Sequence, residues 1–158
     1  MNKQHVIIIT AVIMLASIIF GALAYPQPPE TAVSHWDERG NPSGYMSRFW
    51  LVALLPLLTL GLTALLLFLT DIDPLHKNIA IFQGEYYRFI VFFDLFLLYV
   101  HILSIVWNLG YRFDFARLIA PGLGLFIFFT ASLVEKNPQE LFHRDPHPLD
   151  AIQRSGVG

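Results

Sequence analysis

FWLVALLPLLTLGLTALLLFLT, residues Phe49 to Thr70, runs for 22 positions without a charged side chain. A helix rises 1.5 Å per residue, so 22 residues reach about 33 Å. That length crosses the ~30 Å hydrocarbon core of a bilayer, where every backbone amide must be bonded within its own segment. Arg48 precedes the run and Asp71-Ile72-Asp73-Pro74 ends it.

Three further stretches have the same character: VIIITAVIMLASIIFGALA from Val6 to Ala24, a span from about Arg88 to Gly110, and one from about Ala116 to Leu133. The expected fold is therefore all-α, a polytopic membrane bundle of four transmembrane helices (6–24, 49–70, 88–110 and 116–133) within residues 1–136. Lys3, the first apolar run and Ala22-Leu23-Ala24 also resemble a secretory signal. The run exceeds the ~7–15 apolar residues of such signals, which favours a retained anchor. Pro56 and Pro121 fall inside spans, where neighbouring helices can satisfy the freed carbonyls.

Composition agrees with this reading. The 158 residues are 55% hydrophobic and 14% charged, with a mean hydropathy of +0.55, against ~25% charged in soluble domains. There is no cysteine, so thiolate metal sites and cysteine nucleophiles are excluded. The net charge of −2 includes no basic block, and nucleic-acid binding is not expected. The Lys and Arg distribution leans toward both termini on the cytoplasmic side. Small residues, Gly61, Ala64, Gly122 and Gly124, are the expected helix contacts in two helical hairpins joined by DIDPLHKNIAIFQGEYY.

The first loop, YPQPPETAVSHWDERGNPSGYMSR, is more specific than a casual connection. Pro26, Pro28 and Pro29 predict an extended exit from the membrane. Gly40-Asn41-Pro42 and Ser43-Gly44 predict turns that fold the chain back. His35 and Trp36 lie between these halves, and Tyr45 and Trp50 suit the headgroup level.

Pro26, Pro29, His35, Trp36, Gly40, Pro42, Gly44, Tyr45 and Arg48 together resemble the domain of unknown function at the N-terminus of SdpI-like bacterial membrane proteins. Asp73-Pro74, Asn78-Ile79 and Tyr86 are similar to that family's inter-hairpin stretch, so the likeness extends to about Lys136. One departure is Val33, where the family usually has a second proline. The resemblance implies a non-enzymatic protein of the bacterial cytoplasmic membrane, acting in toxin immunity or membrane signalling. Its implied partners are membrane lipid, a peptide toxin or a transcriptional repressor recruited to the membrane. His35, Trp36, Gly40, Pro42, Gly44, Tyr45 and Arg48 are the expected recognition residues.

In the family a segment close to NFFIGIRTPWTL follows the fourth span, where this chain has the polar tail 137–158. Permitted codons for Gln139 to Gly158, read one base later, encode RNFFIGIRTPWTLSSEAVW. The tail is therefore expected to be an out-of-frame and disordered extension. Its His143 and His147 have the spacing of metal ligands, but Pro146 and Pro148 break the helix they would need, so no metal or other cofactor is expected.

Asp94, His101 and Asn108 recur every seven residues in the third span, with Ser104 nearby. At 3.6 residues per turn they form one polar stripe. Intramembrane ionisable groups mark ion or proton routes, so a small proton-coupled transporter using Asp94 and His101 is the alternative function. The plainer expectation is that Asp94 lies shallow and His101 bonds to Thr59, Thr63 or Thr130. An intramembrane metal enzyme built from His35 and His101 is disfavoured by their expected difference in depth. No hydrolytic, phosphate-binding or redox motif is present.

Overall fold

The computed structural model describes residues 1–72 and 76–135. The tail, with His143, His147 and the expected change of frame, lies outside the described residues, as do Asp73 and Pro74. The element order is α1 (Lys3–Ala24), β1 (Thr31–Trp36), β2 (Pro42–Ser47), α2 (Arg48–Ile72), α3 (His76–Asn108) and α4 (Phe115–Glu135).

Among the described residues, four helices are long and apolar enough to span a membrane: Lys3–Ala24, Arg48–Thr70, Gln83–Asn108 and Phe115–Leu133. The chain is an integral, multi-pass membrane protein. The third span begins earlier than the sequence suggests, because Arg88 pairs with Glu85 at 2.6 Å on the helix surface and the helix continues through both. Most of the polar stretch expected to join two hairpins is thus the first part of α3.

Local chemistry sets the helix ends. The Asn2 side chain accepts the His5 N–H at 2.9 Å and caps α1. Asp114 does the same for α4, accepting the Arg117 N–H at 3.1 Å. After α3 the chain leaves through Gly110, whose φ of 104° is a left-handed conformation natural to glycine.

α3 is the central helix and packs against α1, α2 and α4. α1 contributes Val6, Thr10, Ile13, Ser17, Gly21 and Ala24, buried at the three- and four-residue spacing of one helical face. Val6 meets Tyr87 and Ile90 at one end of the bundle. Ala24, Ala32, Leu51 and Ile105 close the other end. α4 leans on α3 through stacked rings, Phe92 on Phe129 at 4.4 Å and Phe96 on Phe126 at 5.4 Å.

Small residues serve close approach at only some of the expected positions. Gly122 lies against the Tyr99 ring, and a Cβ there would stand 2.8 Å from Tyr99 Cδ1. Gly61 and Gly124 meet nothing within 4 Å of such a Cβ, and Ala64 is exposed. Gly61 and Gly124 therefore seat no neighbouring helix, and Ala64 lines an open seam between α1 and α2. Gly21 instead provides a close approach the sequence alone does not reveal, since a Cβ there would stand 3.3 Å from both His101 Nε2 and Val52 O.

Candidate functional site: a docked hairpin over an aromatic cleft

The first loop folds as an antiparallel β-hairpin, with Thr31 opposite Ser47, Val33 opposite Tyr45, His35 opposite Gly44 and Trp36 opposite Pro42. The register slips around His35, which re-aims side chains there. The exit from α1 is a turn rather than an extended run, since Gln27 N–H donates to Ala24 O at 3.0 Å. The reversal lies at Asp37 to Asn41. Asp37 N–H donates to Asn41 O at 2.8 Å, and Gly40 takes a φ of 79°. Pro42, Ser43 and Gly44, expected as turn residues, belong to β2, because the Asp37 carboxylate already closes the turn.

That carboxylate accepts the N–H of Asn41 at 2.8 Å and of Arg39 at 2.9 Å. The Asn41 N–H is the main reason its pKa is held below the usual aspartate value.

Asn108 fastens the hairpin to the bundle. The Val33 N–H donates to Asn108 Oδ1 at 2.8 Å, and Asn108 Nδ2 donates to Val33 O at 2.9 Å. Both main-chain groups of Val33 therefore point away from β2, and one side-chain amide satisfies them as a third strand would. Asn108 Nδ2 also donates to Ser104 O at 2.9 Å. Trp36 adds an aromatic anchor: it stacks on Phe115 at 3.7 Å with an interplanar angle of 4°, and meets Trp107 edge-on at 5.3 Å. Such a pair contributes ~0.5–1.5 kcal/mol beyond its buried area.

Beneath the hairpin is a cleft of about 390 Å³ bounded by β1, α2, α3 and α4. His35, Trp36 and Asp37 form part of its wall, with Trp50, Leu54, Ser104, Phe115 and Ile119 among the rest. Trp36 Nε1 is buried without a hydrogen-bond partner.

The other expected recognition residues divide by role. His35 is exposed, its Nδ1 2.9 Å from Ser34 Oγ. Gly44 makes room for that ring, since a Cβ there would stand 2.9 Å from His35 Nδ1. Gly40 abuts Asp114 at the start of α4. Tyr45 and Pro42 are exposed on β2. Arg48 stands apart at the start of α2, its guanidinium 5.9 Å from the centre of the Tyr25 ring.

The stripe on α3 does not act as one unit. Asn108 belongs to the hairpin, while Asp94 and His101 lie between helices. Asp94 is 1% exposed and near the middle of its span, which corrects the shallow placement. Thr63 Oγ1 donates to its Oδ1 at 2.7 Å. Oδ2 has no hydrogen-bond partner among the described residues, and the fully buried His101 has only the Ser17 main chain within reach, without a bond of normal geometry. The expected threonine bonds to His101 are absent because Thr59 and Thr130 donate to carbonyls of their own helices and Thr63 serves Asp94. Among the described residues no group of three His, Cys, Asp or Glu side chains could hold a metal ion. His35, on the exposed hairpin, and His101, buried against Gly21, do not form a pair.

Phe115 and Trp107 are the site residues that sequence reading missed. The only signal was an aromatic residue at each end of the short α3–α4 connection. Residues 12–60, from within α1 through the hairpin into α2, match the family model described as Domain of unknown function (DUF1648). That domain is found in SdpI-like membrane proteins. The chain matches no curated protein and no solved structure.

Proposed function

We propose that this is a non-enzymatic recognition protein of the SdpI-like class, acting in toxin immunity or membrane signalling at the bacterial cytoplasmic membrane, with both termini cytoplasmic. The observation that carries the reading is the cleft under the clamped hairpin. The hairpin forms one lip of this space, and Trp36, Trp50 and Phe115 give it an aromatic wall. Those are the properties of a pocket that holds an apolar or amphipathic peptide segment by burial and orients it with few polar contacts. A peptide toxin or a membrane-recruited repressor is the corresponding partner, and no reaction or cofactor is assigned. The tail past Gln139 is proposed to be an out-of-frame extension; the gene is expected to encode GIRTPW in the next frame, and its absence there refutes this.

The test is survival of a toxin-sensitive bacterial host expressing the full chain and challenged with the peptide toxin of an SdpI-like system. Wild type should protect. Leu54→Trp, which fills the cleft, and the double variant His35→Ala, Trp36→Ala should not, at unchanged membrane abundance. Lack of protection by the wild type, or full protection by both variants, overturns the reading.

A second reading, a small proton-coupled transporter, is favoured by the unpartnered Asp94 Oδ2 and the buried His101 in mid-membrane. In proteoliposomes, Asp94→Asn should abolish proton flux if that reading holds. Flux equal to wild type excludes it.

A further inference from the structure

On the far side of α2 from the cleft, α1 and α2 diverge into a groove. Its part nearest the hairpin has a volume of about 590 Å³ and is lined by Met14, Ile18, Tyr25, Phe49, Pro56 and Leu60 among others. A second hollow of about 410 Å³ shares Met14, Ile18 and Leu60 and continues along the same seam. The upper part follows α2 from Phe49 to Leu60, eleven residues or about 16 Å. That is half the ~30 Å hydrocarbon core, the depth of one leaflet.

The mouth of this groove is charged. Arg48 lies immediately before Phe49, with its guanidinium over the ring of Tyr25, a groove residue. Its Nε is buried without a hydrogen-bond partner. No carboxylate among the described residues forms an ion pair with it, whereas Arg88 and Arg117 are paired with Glu85 and Asp114. Arg48 also begins α2, so the positive end of the helix dipole adds to its field.

We infer that this groove is a retained site for an anionic phospholipid, one acyl chain lying along Met14, Ile18 and Leu60 and the phosphate meeting Arg48. Guanidinium and phosphate form paired charge-assisted hydrogen bonds, and the apolar wall supplies the burial. A transmembrane helix is a poorer occupant. An apolar helix would bring no anion to the Arg48 guanidinium, whereas a lipid phosphate does. The site is separate from the cleft, so its failure leaves the recognition reading intact.

The experiment is native mass spectrometry of the full chain released from bilayers of equal phosphatidylglycerol and phosphatidylcholine. Wild type should retain one phosphatidylglycerol in preference to phosphatidylcholine. Arg48→Gln should reduce that preference at least about fivefold, the effect of one interfacial charge, and Arg48→Lys should keep most of it. Ala53→Trp, which fills the groove, should release the lipid with Arg48 intact. Equal retention of the two lipids by wild type, an Arg48→Gln variant that keeps the preference, or a second copy or peptide in place of lipid overturns the inference. Thermal melts of each variant identify a loss caused by misfolding, and Arg48→Lys then supplies the deciding comparison.

Discussion

Replacing Asn108 by Ala removes both bonds to Val33, and the hairpin loses its hydrogen-bonded tie to α3. The third bond, to Ser104 O, matters less, since an α-helical carbonyl at that position already accepts the main-chain N–H four residues on. Val33 is 7% exposed, so little water reaches the two groups left behind. Each unpartnered buried backbone group costs about 1–3 kcal/mol, giving about 2–6 kcal/mol for the pair. The cost falls on local opening of the hairpin rather than on the spans, because only the side-chain packing of Ala32, Val33 and Trp36 would then hold it to the bundle. A loss of about 3 kcal/mol raises the equilibrium population of the open form on the order of 10²-fold. Hydrogen exchange of peptides covering residues 31–36, measured in detergent at fixed pH, should accelerate by that order in Asn108→Ala. Thr130→Ala removes only a bond to its own helix, at Phe126 O, and should leave the hairpin unchanged. Exchange in Asn108→Ala within threefold of wild type would refute the clamp.

Gly44→Ala places a Cβ against the His35 ring, so the His35 imidazole resonances should shift while the helices keep their melting temperature; unshifted resonances contradict the packing. Gly122→Ala should move α4 off Tyr99 and break the Tyr99 hydroxyl bond to Leu118 O, read as loss of stability of about 1–3 kcal/mol from overpacking. A melt unchanged from wild type would show that α4 is not seated there. Asp37 carries a pH dependence: its pKa is depressed in the folded turn, chiefly by the Asn41 N–H. The stabilisation it provides is thus present above the ordinary aspartate range near ~3.9 and fades as pH falls through the lower folded value. The Asn41 amide resonance should titrate in that acidic window in wild type and not in Asp37→Asn. Titration at or above the ordinary value would contradict the turn geometry.

The membrane class and the four spans were legible in the chain itself, because the cost of an unbonded amide in hydrocarbon permits few structures for apolar runs such as Val6–Ala24 and Phe49–Thr70. Heptad spacing also placed Asp94, His101 and Asn108 on one face of α3, which is a property of helix pitch alone. What that face meets was decided only in three dimensions. Asn108 reaches Val33, 75 positions away, while Asp94 finds Thr63, 31 positions away, and His101 finds Gly21. The sequence placed a turn at Gly40 to Gly44, and Gly40 and Asn41 do lie in the reversal. What it did not show is that the Asp37 carboxylate closes that turn by gathering two N–H groups, which leaves Pro42 to Gly44 free to pair as a strand. Local sequence determines which segments must be helical and which faces are polar. Packing of the helices determines which polar groups are satisfied and which are left unpaired, since side-chain partners far apart in the chain meet only when the backbones are already in place.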